Sequence, residues 1–375
     1  MIYFDNAATT KPCAESVAAV NGALERFGNP SSLHKLGLEA ELIVTDAREA
    51  IAEALGAKAE EIYFTSGATE SSNTAIFGAF RAYGKRKSRI VITSVEHPAT
   101  AAPALLLEEL GCEVVRVSPR DDGRFYAEDI AAAVDDNTFL LSMMLINNET
   151  GYILPVQETF SLVKKKHPEA LLHCDCVQGF MKIPFKVKKL GADMLSLSGH
   201  KIHAPKGIGA LYLRKGVHIP SLLYGGGQER GFRSGTESVP LIAGFGAAVN
   251  KLAPTIKERL DYVGQLRDRL TQMCAEKGFS VNSLPDASPY VVSISVNGLR
   301  SEVLLHYLEK KDICVSSGSA CSKGKKSSVL GEFGLDAVSD STIRVSFCAE
   351  NTANEIDTLV EQLENAENEL CKVSK

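Results

Sequence analysis

A lysine in a turn of small residues is the first residue of this sequence with an evident chemical use. Lys201 follows a strand-like run that ends at Ser198-Gly199-His200, and a second glycine-rich turn, Pro205–Gly209, comes after it. A lysine held at a strand end with its amine partly removed from water has a lowered pKa, which favours a Schiff base. The alternative is a solvated loop lysine, so other segments must decide between the two.

A second segment has the pattern of an anion site. Ile62–Thr65 is strand-like and continues through Ser66-Gly67-Ala68-Thr69-Glu70 into a helix predicted to reach about Tyr83. Free backbone N–H groups at a helix N-terminus, together with nearby hydroxyls, suit a phosphate. The same pattern also fits a tight turn in which Thr69 caps the helix. The sequence has no GxGxxG or GxxxxGK[ST] motif that would indicate a nucleotide site instead.

The third segment is His173-Cys174-Asp175-Cys176-Val177-Gln178. Strand alternation predicts His173 and Asp175 on one face and the two cysteines on the other. A buried carboxylate at a strand end needs a cationic partner, and a pyridinium nitrogen would supply one. The two cysteines lack the C-x₂-C spacing and a second ligand pair, so we predict no metal site.

Three further side chains have reactive types in ambiguous settings. His97, in Glu96-His97-Pro98, has the chemistry of an acid or base, but it could simply end a strand. Arg344 could be an exposed strand residue, although its planar fork of donors suits a carboxylate. Cys321 lies in a Ser/Gly-rich stretch followed by Lys323-Gly324-Lys325-Lys326, whose charges favour the nucleophilic thiolate. The alternative for Cys321 is an incidental loop cysteine.

Composition narrows the class of protein. A chain of 375 residues with 45% hydrophobic and 23% charged residues is typical of a globular enzyme, which excludes disordered and fibrous classes. The net charge of -5 gives no basic footprint, so we expect a small-molecule substrate and no direct contact with nucleic acid. Neither a signal-peptide pattern nor a membrane-length apolar run is present, which predicts a cytoplasmic protein without membrane contact. Its cysteines are expected to be reduced.

The elements that must position these residues follow from the apolar pattern. From about residue 34 to 250, strand-like runs alternate with helix-length segments, which is typical of βαβ units. The runs predicted as strands are 62–65, 89–93, 114–117, 139–146, 171–174, 194–197 and 208–213. Helical spacing from Leu36 to Leu55, followed by Gly56, predicts the first long helix. We therefore predict an α/β fold with a mostly parallel seven-stranded sheet flanked by helices.

The pattern changes after about residue 250 and predicts a smaller α+β domain. Its predicted elements are a long charged helix at Leu252–Cys274, strands at Tyr290–Val296 and Thr342–Phe347, and a helix at Ser301–Lys310 between the strands. We divide the chain into a large domain, 15–250, and a small domain formed by 1–14 and 251–375. The small domain carries the Cys321 loop.

Taken together, these segments resemble the NifS/IscS-type cysteine desulfurases, a branch of the class V, fold-type I enzymes that use pyridoxal 5′-phosphate (PLP). The resemblance runs nearly from end to end, and so many segments in one order make coincidence implausible. The matching segments are Tyr3–Thr10, Phe27–Ser32, Thr65–Glu70, Glu96-His97, Asn147–Gly151, the lysine segment, Gly225–Thr236 and Ser316–Cys321. The large domain would then be the PLP-binding domain.

The resemblance implies a role for each matching residue. Lys201 would carry PLP as a Schiff base, Cys321 would be the nucleophile, and His97 would stack over the ring as an acid or base. Asp175 would pair with the pyridinium nitrogen, and Arg344 would clamp the substrate carboxylate. The remaining contacts are Gln178 and Asn148 at the ring hydroxyl, Asn148 also at the substrate, Ala68, Thr69, Ser198 and His200 at the phosphate, and Thr236 from a neighbouring subunit.

The implied reaction converts L-cysteine to L-alanine, with the sulfur transferred to Cys321 as a persulfide. The sulfur would then pass to an acceptor protein that supplies iron–sulfur clusters, tRNA or thiamine, and the enzyme would be a homodimer. Another class V PLP activity, such as a selenocysteine lyase or an aminotransferase, is the alternative, although transamination needs no cysteine nucleophile. A sulfur-relay scaffold without PLP is disfavoured by the presence of Lys201, Asp175 and His97.

The sequence departs from the family pattern at two places near the predicted site. Cys176 stands where an alanine is usual, and His203-Ala204 replaces a tyrosine-glycine pair after the lysine. Neither departure replaces a predicted contact residue. The sequence also stops soon after Cys371, without the longer tail of members that dock an iron–sulfur scaffold, so the identity of the acceptor stays open.

Overall fold

The computed structural model describes residues 1–317 and 328–370, and its largest element is a seven-stranded sheet. With strands numbered in chain order, this sheet contains β2 (Ile62–Thr65), β3 (Arg89–Thr93), β4 (Glu113–Val117), β5 (Thr138–Met144), β6 (Leu171–Asp175), β7 (Met194–Ser198) and β8 (Gly209–Leu213). Its order is β2-β8-β7-β6-β5-β3-β4, and only β8 runs antiparallel to its neighbours. The predicted mostly parallel seven-stranded sheet is confirmed.

Helices cover both faces of this sheet. They are α1 (Ala14–Glu25), α2 (Lys35–Leu55), α3 (Ala68–Tyr83), α4 (Pro98–Glu109), α5 (Ala127–Ala132), α6 (Val156–Lys166), α7 (Val187–Leu190) and α8 (Val239–Leu252). Strand side chains alternate between two apolar clusters: Leu195 packs in the cluster with α2 and α8, and Met194 in the cluster with α3 and α4. Helix α2 ends at Gly56, whose φ of 68° suits a glycine, as the sequence predicts.

A third apolar cluster lies around a four-stranded antiparallel sheet of order β12-β13-β10-β9. The remaining elements are β1 (Ile2–Tyr3), α9 (Ile256–Glu276), β9 (Ser280–Val281), β10 (Val291–Ser295), α10 (Ser301–Glu309), β11 (Ile313–Cys314), β12 (Ser316–Ser317), α11 (Ser328–Glu332), β13 (Thr342–Ser346) and α12 (Ala353–Leu370). The predicted start of the long helix at Leu252 is wrong. Leu252 ends α8, and a 3₁₀ turn with Pro254 separates it from α9, because proline has no N–H to continue the helix.

The N-terminal segment connects the two sheets. Strand β1 pairs in parallel with β11, and Asp5 forms a bridge with Ser346 of β13. A few residues later, the Thr10 N–H donates to the carbonyl of His200 at 2.8 Å. The carbonyl groups between these two anchors are therefore held next to the loop that contains Lys201.

One helical stretch, Val239–Glu276, is long and apolar enough to span a membrane by length and composition alone. It consists of α8, the Pro254 turn and α9. Helix α8 packs against α1 and α2, and its apolar residues Phe245 and Val249 are fully buried. A core helix of a soluble protein passes the same composition test, and these contacts account for the apolar character of α8.

Candidate active site

A cavity of about 630 Å³ lies at one edge of the seven-stranded sheet. Strands β2, β5, β6 and β7 all end at this edge, which is where α/β sheets place their ligand sites. Ten of the residues predicted for the site line the cavity: Ala68, Thr69, His97, Asn148, Asp175, Gln178, Ser198, His200, Lys201 and Arg344. The structure thus brings together side chains from segments that are distant in sequence, while their roles remain predictions.

Lys201 lies in a 3₁₀ turn, Gly199–Lys201, directly after β7. Its Nζ donates to the carbonyl oxygens of Ala7 and Ala8, both at 2.6 Å. These bonds hold the amine at the wall of the cavity, so the alternative of a solvated loop lysine is wrong.

The predicted anion site lies where β2 turns into α3. Helix α3 begins at Ala68, Gly67 precedes it without a side-chain cap, and Thr69 therefore does not cap the helix. A Cβ atom on Gly209 would lie 2.7 Å from the Gly67 Cα, so only glycine lets β8 pass this close to the turn. Uncapped N–H groups and the Thr69 hydroxyl at the N-terminus of a 16-residue helix favour a bound anion.

An ion pair supports this turn at the cavity wall. The Ser66 N–H donates to Glu70 Oε2 at 2.8 Å, and Arg233 Nε donates to Glu70 Oε1 at 2.9 Å. Burial raises the pKa of Glu70, but the hydrogen bonds from Arg233 and Ser66 and the charge of Arg233 together lower it below its usual value. Glu70 is therefore a carboxylate that closes the turn between β2 and α3.

Asp175 ends β6 with its carboxylate buried at the cavity wall. Its Oδ1 accepts from the Val177 N–H at 2.9 Å. Burial raises the pKa of this carboxyl, while the hydrogen bond from Val177 and the nearby Lys201 oppose the rise. A buried carboxylate with a raised pKa is stabilised by a cation, and the protonated ring nitrogen of PLP is such a cation.

His97 and His200 are neutral at physiological pH. Burial lowers the pKa of His97, helped by the charge of Lys201 and opposed by Asp175. His97 caps α4, with Nδ1 accepting from the Ala99 N–H at 3.1 Å, so the neutral ring carries its proton on Nε2. Burial also lowers the pKa of His200 to about 4. Both imidazoles can therefore donate one hydrogen bond without adding charge.

Arg344 lies on β13 and is buried at the cavity wall, so the alternative of an exposed strand residue is wrong. Its Nη1 donates to the carbonyl of Asn148 at 2.9 Å, and its Nη2 contacts Asp5 Oδ1 at 3.0 Å. Its Nε is buried and has no hydrogen-bond partner among residues 1–317 and 328–370. A guanidinium with a donor left over can bind an incoming carboxylate.

Two predicted residues do not line the cavity. Thr236 is exposed on this chain and is absent from the cavity wall, in keeping with its expected contact with a neighbouring subunit. Cys321 lies outside the described residues, and Ser316 and Ser317 before it form β12, with Ser316 paired to Arg344. The described chain before Cys321 therefore ends in a strand beside Arg344.

The two departures from the family pattern lie away from the cavity wall. The Cys176 and Cys174 sulfur atoms are 3.6 Å apart and both residues are buried behind Asp175. His203 adopts a positive φ of 61°, and its Nδ1 bonds to the carbonyl of Lys11 at 2.9 Å. Across the part of the chain that the structure describes, no group of three His, Cys, Asp or Glu side chains is placed to hold a metal ion.

Sequence reasoning missed several residues around the site. It gave no role to Asp5 or to the carbonyls of Ala7 and Ala8, although Tyr3–Thr10 was among the matching segments. It also missed Glu96 and Lys182, which are buried and ionisable. The sequence signal for both was a charged residue shortly after a strand. Its meaning depends on burial of the side chain, which the sequence does not give.

The cavity residues fit PLP, because the sheet edge offers a helix N-terminus for a phosphate, a buried carboxylate for a ring cation and a lysine in the same cavity.

Comparisons with known proteins agree with a PLP site. The family model described as aminotransferase class-V matches residues 2–359. A protein named cysteine desulfurase from Trichormus azollae is 41% identical over 372 residues, covering 96% of this chain and 91% of that protein.

Solved structures show the same likeness. One, described as a NifS-like protein, has a TM-score of 0.93 and 37% sequence identity, and the match covers 98% of this chain and 99% of that one. Another, described as SspA in complex with cysteine, has a TM-score of 0.83 and 31% identity, covering 94% of this chain and 100% of that one. With its site residues, fold and sequence in agreement, this chain belongs to the class V aminotransferase family and uses PLP as its cofactor.

Proposed function

We propose that this chain is a cysteine desulfurase that converts L-cysteine and the Cys321 thiol to L-alanine and a Cys321 persulfide. The observation that carries the proposal is one cavity that holds a cofactor cradle, Lys201 and Arg344, whose Nε has no hydrogen-bond partner among the described residues. The names of the relatives and the cysteine complex of one related structure support the same substrate.

The cofactor residues have separate tasks. The N-terminus of α3, Thr69 and Ser198 would hold the phosphate, with His200 as a neutral donor beside them. Asp175 would bind the ring nitrogen and keep it protonated, since a buried carboxylate is stabilised by a cation beside it. Bound PLP supplies an electron sink that weakens bonds at the substrate α- and β-carbons.

Substrate binding falls to Arg344 and Asn148. The Asn148 carbonyl and Asp5 hold the guanidinium at two nitrogens, which fixes its plane before substrate arrives. The substrate carboxylate would complete the hydrogen bonding of this buried cation. A fixed donor fork costs little entropy when the substrate binds.

Proton transfer falls to Lys201 and His97. Lys201 Nζ is held at the sheet edge by two carbonyl groups, and we assign to it the proton of the substrate Cα. His97 carries its proton on Nε2 and is kept neutral by burial, so in the resting site it offers a hydrogen bond, and it would act as an acid only after taking up a proton during the reaction. Lys201 and His97 would then share the protons taken from and returned to the substrate.

The sulfur step requires Cys321. Its thiolate attacks the sulfur of L-cysteine, an S–S bond forms, and the Cβ–S bond breaks with its electron pair left on the substrate carbon. A proton added to that carbon gives L-alanine. The reaction needs no external oxidant, since L-cysteine and one thiol become L-alanine and one persulfide.

Three further features stay predictions. They are a sulfur-accepting protein, a homodimer in which Thr236 serves the partner's site, and a cytoplasmic location.

The test is product analysis with matched cysteine variants. Purified holoenzyme with L-cysteine and a thiol reductant is expected to release sulfide and L-alanine in equal amounts. Cys321→Ser is expected to keep the visible colour of the cofactor and lose sulfide release, while the half-buried Cys13→Ser control keeps both. A 2-oxo acid product would replace the proposal with transamination, and a fully active Cys321→Ser would exclude the persulfide step.

A further inference from the structure

A buried lysine lies behind the candidate site and has no role in the reaction described above. Lys182 is 5% exposed, and its Nζ donates to Gln178 Oε1 at 2.6 Å. The Nζ also lies 5.8 Å from the centre of the Tyr290 ring. Burial lowers the pKa of Lys182 to about 7, so the fold keeps this amine at a cost in stability.

The partners of Gln178 fix the orientation of its side-chain amide. Gln178 Nε2 donates to the Ala7 carbonyl oxygen at 2.9 Å, on one side of the amide. On the other side is Lys182 Nζ, which donates to the amide oxygen as an ammonium and, above its pKa of about 7, can still do so as a neutral amine. A carbonyl can only accept, so the reverse orientation of the amide would lose the bond to Ala7 and, while Lys182 is protonated, the bond to Lys182 as well. The oxygen must face Lys182 and the nitrogen must face Ala7.

This orientation decides what Gln178 offers to the cavity that it lines. Its nitrogen has two hydrogens, and the Ala7 carbonyl takes one of them. The same carbonyl accepts from Lys201 Nζ at 2.6 Å, so the amide nitrogen and the lysine amine are held by one oxygen. The second N–H of Gln178 is then available to an acceptor near Lys201.

We propose that Lys182 is a positioning residue that locks the Gln178 amide with its N–H toward the ring oxygen of the cofactor. The inference rests on the proposed function and on the contact between Gln178 and the ring hydroxyl that the sequence resemblance implies. An N–H donor stabilises the deprotonated form of that oxygen. It therefore lowers the pKa at which the visible absorbance of the holoenzyme changes with pH. Lys182 acts on the cofactor only through Gln178.

The test is a double-mutant cycle on the holoenzyme, read by absorbance from pH 6 to 10. Lys182→Met is expected to raise the pKa of the visible absorbance by about one unit, which corresponds to one ordinary hydrogen bond. In a Gln178→Ala background the same replacement is expected to change the pKa by less than about 0.3 units. The control is Lys186→Met, whose partly exposed amine bonds to the carbonyls of Glu53 and Ala54 and is expected to leave the pKa unchanged.

A second variant covers the case in which Lys182→Met fails to hold the cofactor. Lys182→Gln can donate or accept, so it no longer selects one amide orientation and is expected to raise the pKa as well. An unchanged pKa in both variants, or an equal shift with and without Gln178, would overturn the inference. If Gln178→Ala alone leaves the pKa unchanged, the proposed contact between Gln178 and the cofactor fails instead, which separates the two hypotheses.

Discussion

Replacement of Glu96 by glutamine is expected to stabilise the protein at neutral pH. The Glu96 carboxyl is buried, and its Oε1 accepts from the Thr93 hydroxyl at 2.5 Å and the Met144 N–H at 2.9 Å. Its Oε2 is buried and has no hydrogen-bond partner among the residues that the structure describes. Glutamine has an acceptor oxygen for both donors and never ionises, so Glu96→Gln preserves the neutral state of the site.

The magnitude follows from the pKa of the buried carboxyl. Burial, with a smaller contribution from the charge of Asp175, raises the pKa of Glu96 from 4.5 to about 8. Because the folded pKa lies above the unfolded one, the contribution of Glu96 to stability is present below pH 4.5 and is lost as the pH rises to about 8. At ~1.4 kcal/mol per pH unit, the loss at pH 7 is on the order of 3 kcal/mol. Glutamine avoids this loss, although its additional amide hydrogen costs part of the gain.

Urea unfolding of the cofactor-free protein at several pH values between 5 and 8 measures this difference. The free energy of unfolding of Glu96→Gln, relative to wild type, is expected to rise by ~1.4 kcal/mol per pH unit over that range. Glu113→Gln removes a half-exposed carboxylate that pairs with Arg89, and its effect is expected to be independent of pH. A difference for Glu96→Gln that stays constant or falls with pH would mean that Glu96 is ionised in the folded protein and would refute the reasoning.

Three further predictions concern cofactor and substrate. Arg344→Lys is expected to raise KM for L-cysteine about 10- to 100-fold without changing PLP affinity, since a planar fork becomes a point charge; an unchanged KM contradicts the substrate clamp. Asp175→Asn keeps the hydrogen bond from the Val177 N–H but loses the charge, and kcat for alanine formation is expected to fall at least about 100-fold with cofactor still bound. A rate near wild type would contradict the pairing of Asp175 with the ring nitrogen of the cofactor. Thr69→Val is expected to weaken PLP binding about tenfold by fluorescence titration, because a hydrogen bond to phosphate is lost; an unchanged affinity would place the phosphate elsewhere.

Much of the fold was predictable because the signals are local. Apolar runs near 62–65, 89–93 and 194–197 gave strands within a residue of their observed bounds, since buried parallel strands are continuously apolar. Glycine at position 56 gave the end of α2, since its left-handed backbone favours that residue. The start of α9 was wrong because apolar spacing continues from α8 through the Pro254 turn, and the proline was given too little weight.

The sequence by itself determined which reactive side chains this protein has and in which strand-end turns they lie. Lys201, Asp175 and Thr69 were identified because each stands in a distinctive local pattern, and the sheet topology brings such turns to one edge. What they do chemically depends on partners that no local pattern gives. Lys201 bonds to the carbonyls of Ala7 and Ala8, which are 194 and 193 residues away, and Arg344 pairs with Asp5, which is 339 residues away.

Only the tertiary structure decided the protonation of the site. Glu96 and Lys182 are ordinary charged residues in the sequence, and their pKa values move to about 8 and about 7 because burial removes the water that stabilises a charge. The orientation of the Gln178 amide likewise depends on a carbonyl 171 residues away in sequence. Burial and long-range hydrogen bonds are properties of the packed fold, so the sequence names the reactive groups and the structure sets their charge and direction.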